Sequence, residues 1–225
     1  MAVIHGIAGE WARVKGAVLG MWPMFLGVFF AGFSLATWVF LSPGWGASLM
    51  VVSLAWMGVS MVKGLRHVER FFKGARGEER VAGILRALPD GYHVFNDFVA
   101  GRSHVDHVVV GPAGVFAVET KNWRGSVTIE EGHILVDGQL PSRAPLGQAL
   151  REAALVKAAL AKAGWSGDVT PVLVFTSDTF AARSAELQGA VVMKSCELRA
   201  SFASGRTVLA PAELDRLVGL MEGMS

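Results

Sequence analysis

Hydrophobic and polar positions follow two regimes along the chain. From Gly16 to Val62 there is no Asp, Glu, Lys or Arg, and one helix of that length would be roughly 70 Å long at about 1.5 Å per residue. A bilayer crossing needs only about 30 Å, so the run is expected to fold back. Ser42-Pro43-Gly44-Trp45-Gly46 is the cluster of turn-forming residues that allows this. Helices are therefore predicted over 17–41 and 46–62, with Pro23 in the first turns of the former, where it costs least.

Beyond the apolar run the periods change. Val81, Ile84, Leu85 and Leu88 fall at helical spacing and Pro89-Asp90-Gly91 stops the pattern, which predicts a helix over 77–88. Alternating segments at 93–98, 103–110, 115–121, 126–130 and 133–136 read as a meander of strands joined by glycine-rich turns. An Ala- and Leu-rich helix is expected over 145–163. The β-branched run 169–176 reads as a central strand, 190–193 as a short one, and 211–221 as a last helix with Pro at its first turn. This order predicts an α/β fold, a mixed sheet covered by helices. The expected organisation is a membrane hairpin with a basic juxtamembrane helix in 1–73, a soluble domain in 74–180 and an extension of that domain in 181–225.

Composition supports a split between lipid and water. The chain is 52% hydrophobic and 18% charged, against about 25% charged in an ordinary soluble protein. Lys63, Arg66, Arg70, Lys73 and Arg76 follow the second apolar helix and Arg13 and Lys15 precede the first, while the turn between them is uncharged. By the positive-inside rule both ends face the cytoplasm, which makes the chain a multi-pass protein of the cell membrane. Trp22, Trp38, Trp45 and Trp56 lie toward the span ends, and the cations of 63–77 suit anionic membrane lipid. A cleaved signal peptide has one apolar core of about 7–15 residues, and here a second span follows. The net charge of +2 excludes a broad basic field. One cysteine, Cys196, excludes an internal disulfide and a cysteine-based zinc site; it is expected to be a buried structural thiol.

The hairpin around Gly111-Pro112-Ala113-Gly114 places the candidate chemistry. A four-residue loop sets Val110 opposite Val115, hence Asp106 opposite Glu119 and His104 opposite Lys121. With a period of two, Asp106, Glu119 and Lys121 emerge on one face with Val108, Val110, Val115 and Ala117, opposed β-carbons lying about 4.5–5.5 Å apart. Carboxylates that close repel unless a cation sits between them, and an oxygen-only set suits Mg²⁺. Lys121 could then hold a water or a phosphate oxygen. The same spacing equally serves a cross-strand ion network in which Lys121 neutralises both acids, each pair contributing under about 1 kcal/mol. His107 points to the other face, and Trp123 and Arg124 follow the lysine at a strand end.

Gly77-Glu78-Glu79, followed by His104-Val105-Asp106-His107-Val108-Val109-Val110-Gly111-Pro112-Ala113-Gly114-Val115-Phe116-Ala117-Val118-Glu119-Thr120-Lys121-Asn122-Trp123-Arg124-Gly125, resembles the nuclease-related domain family. The resemblance spans 74–180, including Gly147-Gln148-Ala149. It implies a restriction-endonuclease-like fold with an Asp…Glu-X-Lys core and Mg²⁺- or Mn²⁺-dependent cleavage of DNA or RNA. Position by position, it implies Glu78 as the acid of the first helix, Asp106 and Glu119 as metal ligands, Lys121 as the catalytic lysine and Gln148 as an accessory polar residue. Glu78 shares a helical stripe with Val81 and Leu85, although a first-turn carboxylate also simply favours the helix dipole. Gln148 lies off the centre of the stripe Leu146, Ala149, Leu150, Ala153, Val156 and Leu160, in reach only through its place near the helix start. The alternative is a catalytically inactive nuclease-like module that binds or signals at the membrane.

Overall fold

In the structure, a computed structural model that describes residues 1–101, 103–176, 180 and 184–224, the uncharged run is two helices, α1 (Glu10–Phe40) and α2 (Pro43–Arg86). Both are long and apolar enough to cross a membrane. Pro23 lies well inside α1 rather than in its first turns, because the helix already begins at Glu10. The second helix does not stop near Val62 but continues through the basic stretch to Arg86, so the separate helix expected over 77–88 is its last part. Nothing between Gly46 and Leu88 breaks a helix strongly, since isolated glycines cost only about 1 kcal/mol each.

The chain divides into two compact units, residues 10–75 and residues 1–9 with 76–225. In the first, α1 buries Gly16, Gly20, Gly27 and Ser34, one residue for every one or two turns. A Cβ on Gly64 would meet the Gly20 carbonyl oxygen at 2.4 Å, and one on Gly20 would meet Val68 at the same distance. Only glycine permits such close backbone approach. Ser34 and Ser53 meet farther along, hydroxyls 3.2 Å apart. The outward faces carry Trp22, Phe25, Phe29, Phe33, Val52 and Trp56, all exposed.

The second unit is built on a mixed sheet. Its strands are β1 (Val3–His5), β2 (His93–Ala100), β3 (Ser103–Gly111), β4 (Gly114–Lys121), β7 (Val169–Phe175), β8 (Ala185–Leu187) and β9 (Ala190–Lys194), in the order β1-β2-β3-β4-β7-β9-β8. β1 pairs parallel with β2, β2–β3 and β3–β4 are antiparallel, β4 then pairs parallel with β7 and β7 with β9, and β8 closes the edge antiparallel to β9. The segments β5 (Val127–Glu130) and β6 (His133–Val136) were expected in the meander but form a separate two-stranded ribbon.

Helices α3 (Pro145–Lys162), α4 (Ser195–Ala203) and α5 (Pro211–Glu222) complete the α/β fold. Val108, Val110, Val115 and Ala117 pack with Ala153, Val156 and Leu160 of α3 and Leu217 and Met221 of α5. Val109, Val118, Val172 and Val174 point the other way, onto Val81 and Leu85 of α2 and Leu198 and Phe202 of α4. The valine run is apolar on both faces because helices cover both, each buried side chain contributing about 1.5–3 kcal/mol. Cys196, in the first turn of α4, is exposed, not buried. The expected boundary at 180/181 adjoins positions outside the described residues.

Candidate active site

The β3–β4 ladder has the register expected of its loop, Val110 with Val115 through His107 with Val118. It ends one pair short of Asp106 and Glu119. The cause lies on the neighbouring strand. Asp97 adopts a left-handed backbone, φ 54°, and the β2–β3 ladder skips it and Asp106. Alternation breaks there: Val105 and Val108, three residues apart, share one core, as do Phe95 and Phe98. Asp106 therefore departs from the strict period-two placement, and its Oδ2 accepts a hydrogen bond from the Thr120 backbone N–H at 2.7 Å.

Glu119 and Lys121 stand at the end of β4, where the strand pairs parallel with Leu173 to Phe175 of β7. Carboxyl ends of parallel strands are where open α/β sheets place their ligands. Glu119 is 2% exposed, and its ion-pair partner is the Lys121 ammonium. Lys121 Nζ also donates to Gln148 Oε1 at 3.0 Å, so the glutamine from the start of α3 does reach the strand end. Asp106 is held well above the usual carboxylate range, first by loss of solvent and then by the charges of Glu119 and Glu78; the Thr120 N–H and Lys121 pull the other way. Glu78 is placed by its neighbour. A Cβ on Gly77 would sit 2.7 Å from that of Asn122, so the glycine lets α2 come close to the residue after Lys121. Arg80 fastens the same stretch, Nη1 donating to the Thr176 carbonyl at 3.0 Å.

Thus Glu78, Asp106, Glu119, Lys121 and Gln148 occupy one neighbourhood. Glu152 also belongs to it and had not been singled out. It accepts from Gln148 Nε2 at 2.8 Å, and burial followed by the nearby Glu119 pushes its carboxyl up to about 9. The signal was present, since Glu152 interrupts the apolar stripe between Ala149 and Ala153. His107 lies apart from the cluster, fully buried against Asn96. Trp123 packs edge-on against Phe175, ring centroids 5.6 Å apart.

Among the described residues no three His, Cys, Asp or Glu side chains converge as a ready-made metal cage. Mg²⁺ does not require one, because it is commonly held by one or two carboxylates with waters and substrate phosphate. Glu119 Oε2 is buried without a hydrogen-bond partner, and Asp106 beside it meets repulsion that a cation would relieve. This donor set fits a hard divalent ion.

The family model described as nuclease-related domain (NERD) matches residues 73–176. An uncharacterised protein of Bacillus anthracis is 38% identical over 72 residues, 29% of this chain and 32% of that protein. The chain thus spans about a third of the length of the curated relative it matches. No solved structure matches. The stretch that matches the nuclease-related domain model contains the end of α2, strands β2 to β7, all of α3 and all six charged and polar side chains gathered at the end of β4.

Proposed function

We propose that this chain is a membrane-anchored, Mg²⁺-dependent phosphodiester hydrolase that acts on DNA or RNA at the cytoplasmic face. The observation that carries the reading is the pairing of Lys121 with Glu119 beside Asp106, inside a nuclease-related domain. Asp106 and Glu119 are the residues that would hold Mg²⁺ or Mn²⁺. Such an ion, when bound, polarises a phosphoryl oxygen and lowers the pKa of a water. Lys121 supplies a fixed positive charge for the charge that builds on phosphate oxygen. Gln148 restrains that ammonium, and Glu78 adds negative charge on the Asp106 side. Hydrolysis joins a water oxygen to phosphorus and breaks one P–O ester bond, and the leaving oxygen takes a proton.

The anchor is argued from the apolar surface of α1 and α2 and from the flanking cations. Residues 1–9 and 76–225 belong to one unit, so the inserted segment 10–75 leaves from and returns to the same body, as two crossings require. Cations at both ends of the segment support a cytoplasmic side for that body, and the basic stretch of α2 suits anionic lipid.

A second reading, a nuclease-like binding or signalling module, is favoured by the net charge of +2, which attracts polyanions little at long range. The full-length protein in nanodiscs, incubated with single- and double-stranded DNA and RNA with Mg²⁺, Mn²⁺ or EDTA, separates the two. The hydrolase reading expects metal-dependent cutting that is lost in Asp106→Ala and Lys121→Ala. Binding of nucleic acid or metal without any cutting would establish the module instead.

A further inference from the structure

An amide side chain has two ends of opposite hydrogen-bonding character and nearly the same shape. An ammonium has only donors, so Gln148 can hold Lys121 only through its carbonyl oxygen. Turned over, it would set an N–H₂ against the ammonium, donor facing donor. Neither the sheet nor the start of α3 selects between these orientations by shape.

Glu152 selects by chemistry. It lies one turn beyond Gln148 on the same side of α3, and its Oε1 accepts from Gln148 Nε2 at 2.8 Å. That bond leaves Gln148 Oε1 toward Lys121 Nζ, 3.0 Å away. Glu152 is 6% exposed and shares the buried side of α3 with Ala149, Ala153 and Val156. Burying a carboxyl there is unfavourable unless its bonds matter. We propose that Glu152 is a positioning residue that locks the Gln148 amide in the one orientation able to hold Lys121 beside Glu119. The catalytic meaning of this lock rests on the hydrolase reading; its geometry does not.

The chain contains three glutamines, Gln139, Gln148 and Gln188, so selective ¹⁵N labelling of the full-length protein in detergent micelles yields three side-chain amide pairs. Loss of one pair in Gln148→Met identifies the relevant signal. The lock predicts two well-separated Gln148 amide protons that exchange slowly with water. They should persist in Glu152→Gln, whose carbonyl still accepts, and collapse to free-amide positions in Glu152→Leu while the other two pairs stay put. Cutting should show the same order: kcat falls about tenfold or more in Glu152→Leu, as expected for loss of one positioning hydrogen bond, with KM little changed, and Glu152→Gln recovers most of it. A free-amide Gln148 signal in the wild-type protein overturns the lock even if Glu152→Leu does not fold. So does an unchanged signal in Glu152→Leu, or a Glu152→Gln variant as defective as Glu152→Leu. If no protein cuts with any metal, the hydrolase reading fails, and the amide signals still decide the lock.

Discussion

Lys121 Nζ and Gln148 Oε1 are 3.0 Å apart, which ties the end of β4 to the first turn of α3. The same ammonium pairs with Glu119 Oε1, so a divalent ion that takes the other oxygen, Oε2, as a ligand shares the carboxylate with a positive charge that repels it. Two variants should separate these roles. Lys121→Met is expected to lower cutting by at least about 100-fold, the scale of losing one charge-stabilising group, and to leave Mn²⁺ affinity unchanged or stronger. Glu119→Gln is expected to lower cutting and Mn²⁺ affinity together. Calorimetric titration with Mn²⁺ beside a cutting assay tests this, and weaker ion binding in Lys121→Met would remove Glu119 as the shared partner.

The elements that position this neighbourhood were legible wherever a long pattern or a fixed loop governs them. The Gly111-Pro112-Ala113-Gly114 loop sets the register of Val110 with Val115, and the two-sided valine runs announce a sheet covered on both faces. Short or singular features were not legible. β1 is three residues long and owes its place to pairing with His93, Val94 and Phe95. The break in alternation at Asp106 follows from the left-handed backbone at Asp97, one residue on another strand. Glu152 is not legible because a single carboxylate in an apolar stripe does not reveal in the sequence whether it faces a polar site or solvent. Cys196 was misjudged because its apolar surroundings in the sequence do not fix which side of α4 it occupies.

Glu152 should give the wild-type protein a stability that declines with pH. An unperturbed glutamate titrates near 4.5, whereas burial and Glu119 hold the Glu152 proton to about 9. Between those values the folded state binds more protons than the unfolded, so this contribution is complete below about pH 4.5 and is lost as pH rises toward 9. Glu152→Gln carries no such proton. The Tm of the variant should therefore gain on that of wild type from pH 5 to pH 9, in scans of both proteins in the same detergent. A constant gap across that range would mean that Glu152 is already ionised at neutral pH.

His107 sets the acid side. Asn96 Nδ2 donates to the Gly6 carbonyl at 3.3 Å, which turns Asn96 Oδ1 toward His107 Nδ1 at 2.8 Å. The proton is then on Nδ1, and the ring is neutral. Burial holds its pKa down to about 3, so below pH 6.5 the unfolded chain gains a proton that the folded one refuses. Stability should fall from about pH 6.5 downward, by about 2 kcal/mol at pH 5. His107→Gln should be less stable than wild type at pH 8 but show a flatter acid limb. Thermal scans from pH 8 to pH 5 measure both slopes, and parallel slopes would assign the acid sensitivity elsewhere.

The helical pair of residues 10–75 makes its own prediction, because its packing depends on glycine meeting backbone. A Cβ on Gly64 would lie 2.4 Å from the Gly20 carbonyl oxygen, and backbone cannot swing aside as a flexible side chain can. Gly64→Leu must therefore push α1 and α2 apart, and the separation should reach Ser34 and Ser53, whose hydroxyls are 3.2 Å apart. That pair offers a readout. With Ser34→Cys and Ser53→Cys in a Cys196→Ser background, mild oxidation of the protein in nanodiscs should form an intramolecular disulfide in high yield. Adding Gly64→Leu should reduce the yield several-fold, whereas Gly58→Leu, where a Cβ meets nothing within 4 Å, should not. Equal yields in all three proteins would show that close approach at Gly20 and Gly64 does not hold the helices together.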